Sequence, residues 1–133
     1  MVIHNAIAGD LEFNVTERLG IDPTKIKNLK LTGSINAGDY AFMRDKMTAL
    51  QRLNLREVES LIDGVYSIPS DAFADKSTLY KCFLPDKLER IESRAFQNTA
   101  LTGSLILPEG LKYVSGFSGT KITNVHFPST LKE

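Results

Sequence analysis

Tryptophan is absent from these 133 residues, and cysteine occurs once, as Cys82. One thiol cannot form an internal disulfide, so the fold must hold without that staple. A dominant charge is missing too: sixteen Lys and Arg balance sixteen Asp and Glu, which leaves no net field to favour nucleic acid or an anionic membrane. No apolar run approaches the roughly 18 residues of a membrane span. The start, MVIHNAIAGD, lacks the basic and apolar regions of a signal peptide. The motifs of common chemistries are lacking as well: there is no phosphate loop, nucleophile elbow, H-E-x-x-H or paired C-x-x-C. His4 and His126 sit in no ligand-spaced cluster. Glu57, Glu59, Asp63, Asp71 and Asp75 are scattered carboxylates of the kind that normally make a solvated face. The expectation is a protein that is not an enzyme, with no catalytic residues, no metal and no cofactor.

What is present is a repeat. Between Ile68 and Pro108, Ala72-Phe73 returns as Ala95-Phe96 and Leu84-Pro85 as Leu107-Pro108. Leu88 and Ile91 return as Leu111 and Val114 at the same offset. Self-similarity with a period in the twenties marks a solenoid, in which each unit buries its apolar face against its neighbours. At 133 residues, with 42% hydrophobic and 24% charged residues, the chain suffices for one domain or a short array. Cys82 then reads as a small core residue rather than a reactive thiol.

Residues 1–36 do not obey the repeat and are expected to form an N-terminal cap and entry strand, with residues 37–133 as the array. Asp10 is placed to N-cap a helix LEFNVTERL ended by Gly20, with Leu11, Val15 and Leu19 on one face. The Asn14-Val15-Thr16 sequon lies within it. Asp22-Pro23 predicts a turn, and IKNLKLTG alternates as a strand. Asp39 is a second expected N-cap, for YAFMRDKM. Strand stubs are predicted at 29–31, 53–55, 82–84, 105–107 and 125–127. Phe42, Phe73, Phe96 and Phe117 each precede one of the last four and are expected to stack into an internal spine. The later units are trimmed between core positions, where a loop absorbs the change. The ending FPSTLKE matches LPDKLER and LPEGLKY, so the chain is expected to stop inside a repeat. Its open end would then fray after about Gly119 or associate end to end with a second copy.

IPSDAFADKSTLYKCFLP, IESRAFQNTALTGSLILP and the variant FSGTKITNVHFP resemble the BspA-type leucine-rich repeats of bacterial and protist surface proteins. AGDL, IKNLKLTGSINAGDYAFMRD and LQRLNL resemble the entry segment of anaerobe surface-protein members. The asparagine common to leucine-rich repeats is not filled regularly, and Lys76 stands where many such repeats carry a cysteine. The resemblance implies a right-handed α/β solenoid with a parallel sheet, displayed outside the cell or on its surface for adhesion or protein binding.

Strand parity supplies candidate binding residues. Side chains alternate across a strand, so Leu29/Leu31, Leu53/Leu55, Cys82/Leu84, Leu105/Leu107 and Val125/Phe127 form the inward set. Lys30, Asn54, Phe83, Ile106 and His126 must face outward, and in register they would form one exposed column. Phe83 beside Ile106 is an apolar pair in that column and suits a ligand-binding face. β-Branched and aromatic residues also suit any sheet surface. The expected partner is a protein or a surface glycan, not nucleic acid or a membrane interior. A structural spacer presenting another domain is the alternative.

Overall fold

The computed structural model describes residues 1–131. Nine strands build it: β1 Val2–Asn5, β2 Asn28–Ile35, β3 Arg52–Ile62, β4 Val65–Ile68, β5 Lys81–Phe83, β6 Arg90–Ile91, β7 Thr102–Ile106, β8 Tyr113–Val114 and β9 Lys121–His126. They make a repeat fold of parallel strands. β1, β2, β3 and β5 pair side by side in parallel. The ladder forks at β3, whose far end turns back as the antiparallel hairpin partner of β4. From β4 a second parallel ladder runs through β6 to β8, while β7 and β9 form a separate parallel pair.

The inward leucines behave as their alternation requires. Leu29, Leu31, Leu53, Leu55, Cys82, Leu84, Leu105 and Leu107 are all buried, although Leu84 and Leu107 lie just past their strands. The last expected pair departs: Val125 is only partly buried, and Phe127, beyond the end of β9, is 60% exposed.

Three elements were not expected. Val2–Asn5 is a full strand in register with β2, Ile3 opposite Leu31, so the ladder takes in these residues too. The β3–β4 hairpin turns on Asp63 and Gly64, both at positive φ, the backbone that a tight two-residue hairpin turn requires. The second ladder, Ser67 beside Arg90 and Arg90 beside Tyr113, lies at the repeat positions marked by Ile91 and Val114.

The helices correct the expected caps. A single helical turn, α1 Leu11–Phe13, forms, but 14–18 widen into a π-turn closed by Leu19 N–H donating to Asn14 O at 3.0 Å. The wider turn rotates Leu19 off the Leu11/Val15 face, leaving it 49% exposed. Asp10 makes no side-chain cap. The donors there go instead to Asp39: Gly9 N–H at 2.8 Å and Leu11 N–H at 3.1 Å. Nor is Asp39 the cap of the second helix, α2 Ala37–Lys46. Asn36 is the N-cap, and Asp39 is the third residue of a reciprocal capping box. A carboxylate has room for several donors, so this buried group ties residues 9–11 to the start of α2. Asn14 is buried, its amide donating to Asn5 Oδ1 at 2.6 Å, so the sequon asparagine is committed to the core.

The aromatic spine exists with one substitution. Phe73, Phe96 and Phe117 stack with centroids 5.4 and 5.1 Å apart, but the ring that meets Phe73 is Tyr40, edge-on at 5.6 Å. Phe42, two residues on, points elsewhere in the core, because residues two apart on a helix do not share a face. The Tyr40 hydroxyl lies 2.6 Å from Ser60 Oγ, which donates to Ser67 O. Burial pushes the phenol's pKa up.

Around each phenylalanine the backbone is left-handed at two flanking residues: Asp71 and Asp75, Arg94 and Asn98, Gly116 and Gly119. Those turns aim Phe73 N–H at Ala95 O (2.7 Å) and Phe96 N–H at Gly116 O (2.8 Å), linking one unit to the next. At Gly116 a Cβ would lie 2.6 Å from Ala95 N and 2.7 Å from Glu92 O. Only glycine serves there, for space as well as for φ.

Candidate functional site

The outward side of the first ladder begins with a bulge. Lys30 pairs with Asn54 and Thr32 with Glu57, so β3 carries one residue more than β2 over this stretch. Arg56 and Glu57 are consequently both exposed, between inward Leu55 and Val58. Glu57 forms an ion pair with Lys30. Asn54 Oδ1 accepts from Arg56 N–H at 3.0 Å, bracing the bulge. Arg56 itself swings over the Phe83 ring, its guanidinium 5.2 Å from the centroid, and Lys81 Nζ approaches the same ring at 5.1 Å. Cations are drawn to the electron-rich ring face, so Phe83 is clasped rather than free.

The register places Lys30, Asn54 and Phe83 in one row, and Ile106 and His126 in another. It does not join the rows, because among the described residues β5 pairs only with β3 and β7 only with β9. The single column expected from parity is therefore two. Between them lies a cleft of about 140 Å³ lined by Arg56, Tyr80, Phe83, Asp86, Ser104 and Ile106, among others. Ile106, on its rim, is 67% exposed, and His126 is exposed.

Sequence reasoning missed Arg56, Lys81 and Tyr80. The bulge was legible as the parity jump in Leu53-x-Leu55-x-x-Val58; the clasp on Phe83 was not, because it joins residues from two strands. Cys82 packs inward, and burial pushes its thiol up to about 12, which keeps it protonated and unreactive at neutral pH. Three of the five scattered carboxylates are engaged, each separately: Glu57 with Lys30, Asp71 with Arg94, and Asp75 with the Asn98 amide. Among the described residues, no group of three or more His, Cys, Asp or Glu is placed to hold a metal ion. No helix of these residues is long and apolar enough to cross a membrane.

Residues 66–133, just over half of the chain, match the family described as the BspA type leucine rich repeat region. The chain belongs to that family. Among solved structures, a leucine rich cell surface protein from Faecalibacterium prausnitzii A2-165 is similar at 18% identity with a TM-score of 0.42. The match covers 92% of this chain and 42% of that one. No curated protein matches.

Within the BspA-type units, Lys76 replaces the cysteine that the resemblance leads one to expect. Its Nζ donates to Met47 O at 2.5 Å and Arg44 O at 3.2 Å, the orphan carbonyls at the end of α2. Burial lowers its pKa to about 8. The lysine thus caps a helix.

Proposed function

We propose that this chain is a ligand-binding BspA-type repeat module, displayed outside the cell or on its surface and used for protein–protein contact or adhesion rather than catalysis. In this reading the strands continue as a right-handed solenoid. Residues 1–36 serve as its helical entry cap and residues 37–133 as the array. The binding residues are Lys30, Asn54, Phe83, Ile106 and His126, with Arg56 and Lys81 added. The observation that carries the reading is the juxtaposition of Ile106, 67% exposed, with a clasped aromatic ring and two cations that make no ion pair among the described residues. A passive spacer face has no use for that arrangement, whereas apolar anchors ringed by polar groups are what interfaces employ. The ligand is a protein or surface glycan.

The test compares the protein with a Phe83→Ser/Ile106→Ser double variant against an array of extracellular proteins and glycans. Circular dichroism confirms the fold of both. Loss of a saturable interaction in the variant is the expected result; equal binding, or none by either, would refute the reading.

A second reading, self-association, is favoured by a separate apolar groove of about 360 Å³. Leu105, Leu107, Phe117, Ile122, Val125 and Phe127 line it. Light scattering over a concentration series, with Phe127→Ser as comparison, tests that reading. A concentration-independent monomer mass would remove it.

A further inference from the structure

We infer that the break in the ladder between β5 and β7 is a slot for an acidic, extended peptide segment of the partner. The inference rests on the reading of this face as the binding face and names the chemistry of what it takes. In a parallel strand, alternate residues turn their backbone groups to opposite neighbours. Lys81 N–H donates to Gln51 O beside β3, so Cys82 turns its N–H and C=O the other way, into the cleft. On the opposite wall Leu107 N–H donates to His126 O beside β9, so Ser104 and Ile106 turn theirs towards β5. No strand among the described residues lies against either edge. The backbone groups of Cys82 on one wall and of Ser104 and Ile106 on the other, which no ladder among the described residues takes up, are what an added extended segment satisfies.

The charge of the cleft selects the segment. Arg56 and Lys81 both reach over Phe83, and neither makes an ion pair with a carboxylate among the described residues. Asp86 is the acidic residue on the same wall, and its backbone N–H is tied to Arg56 O at 3.1 Å. One positive charge is thus left in excess. A partner carboxylate next to the guanidinium and ammonium groups gains charge-assisted hydrogen bonds. Apolar side chains at alternate positions meet Phe83, Tyr80 and Ile106.

The probe is an acetylated, amidated Glu-Val-Glu-Val-Glu peptide. Its controls are a Lys-Val-Lys-Val-Lys peptide and a backbone N-methylated copy of the acidic one. Binding is read by titration, and the site by amide hydrogen exchange on the intact protein. In the free protein, the Cys82, Ser104 and Ile106 amides should exchange faster than the ladder-paired Leu53 and Leu105 amides. Saturating acidic peptide should slow all three, while both controls fail to bind. Arg56→Gln/Lys81→Gln should weaken binding about tenfold or more, the loss expected when charged hydrogen bonds are removed. The proposal is overturned if the three amides are already as protected as Leu53, if either control binds as well, or if the acidic peptide does not bind. The array experiment with Phe83→Ser/Ile106→Ser is scored separately. Its success alongside peptide failure would reject the slot and leave the binding face standing.

Discussion

The two halves of this molecule solve the same packing problem differently. From Met1 to about Gly64 the units are long and unequal. Ile3 stands beside Leu31 and Leu29 beside Leu53, with true helical turns between the strands. Buried polar groups hold this half. Asp39 collects the N–H groups of Gly9, Leu11 and Asn36, and Asn5 links Asn14 to Ser34 O. From Val65 onward no strand exceeds six residues and no helix forms among the described residues. Order there comes from near-identical turns, each with two left-handed residues around a ring of the column. A buried hub tolerates irregular spacing because it bonds across any loop that reaches it. A stacked column demands a nearly constant period, because each ring must land on the last.

That contrast can be tested, starting where the effect is greatest. Phe96 has rings on both sides, so Phe96→Ala should cost about 3–5 kcal/mol. Thermal or urea unfolding measures it, with exposed Lys112→Ala as the control. A shift equal to the control's would mean the column does not hold the C-terminal half. Asp39→Ala should cost roughly 2–4 kcal/mol, because it strands several buried donors at once. Hydrogen exchange should localise the loosening to residues 9–11 and 36–40. Uniform loosening through residue 120 would instead make the halves one cooperative unit.

Lys76 bridges the halves and should reveal itself through pH. Its amine has a folded pKa of about 8, below the 10.5 of the free side chain. The unfolded chain therefore binds the extra proton between those values, and stability rises with pH across that window. The gain is present in full above the unfolded value and is lost as pH falls through about 8. Set against Lys76→Met, the wild type should gain on the order of 1–3 kcal/mol from pH 8 to 10.5. Parallel pH profiles for the two proteins would rule this out. Smallest of all, Arg94→Ala should cost less than about 1 kcal/mol, since the Asp71–Arg94 pair is exposed. A larger loss would mean that the outer pairs, and not only the rings, hold the repeat together.

The 23-residue offset, the inward leucines and three of the four rings in the spine were legible in the sequence. Each depends on local alternation or on a period, and a chain must display these to bury one face. The first strand was harder to read, because VIHN carries one apolar inward residue, Ile3, and its other inward residue is Asn5. An asparagine turned into a core looks polar until its partners, Ser34 O and Asn14, are in place. The choice of Tyr40 over Phe42 had the same character. Both are aromatic, and only the rotation of α2, set by its Asn36 cap, decides which ring meets Phe73.

For the candidate site, parity determined which residues face outward, because alternation along a strand is a property of the backbone alone. Whether outward residues on successive strands form one surface is not a local property. It depends on whether neighbouring strands approach closely enough to bond. Here β5 and β7 do not pair, so the expected column is divided, and Arg56 and Lys81 reach over Phe83 beside the cleft that divides it. Sequence alone determined the repeat, its inward face and its rings, because each unit must satisfy the same burial. Tertiary structure alone decided where the ladder breaks and which charges gather there, because those outcomes turn on contacts between residues that no period relates.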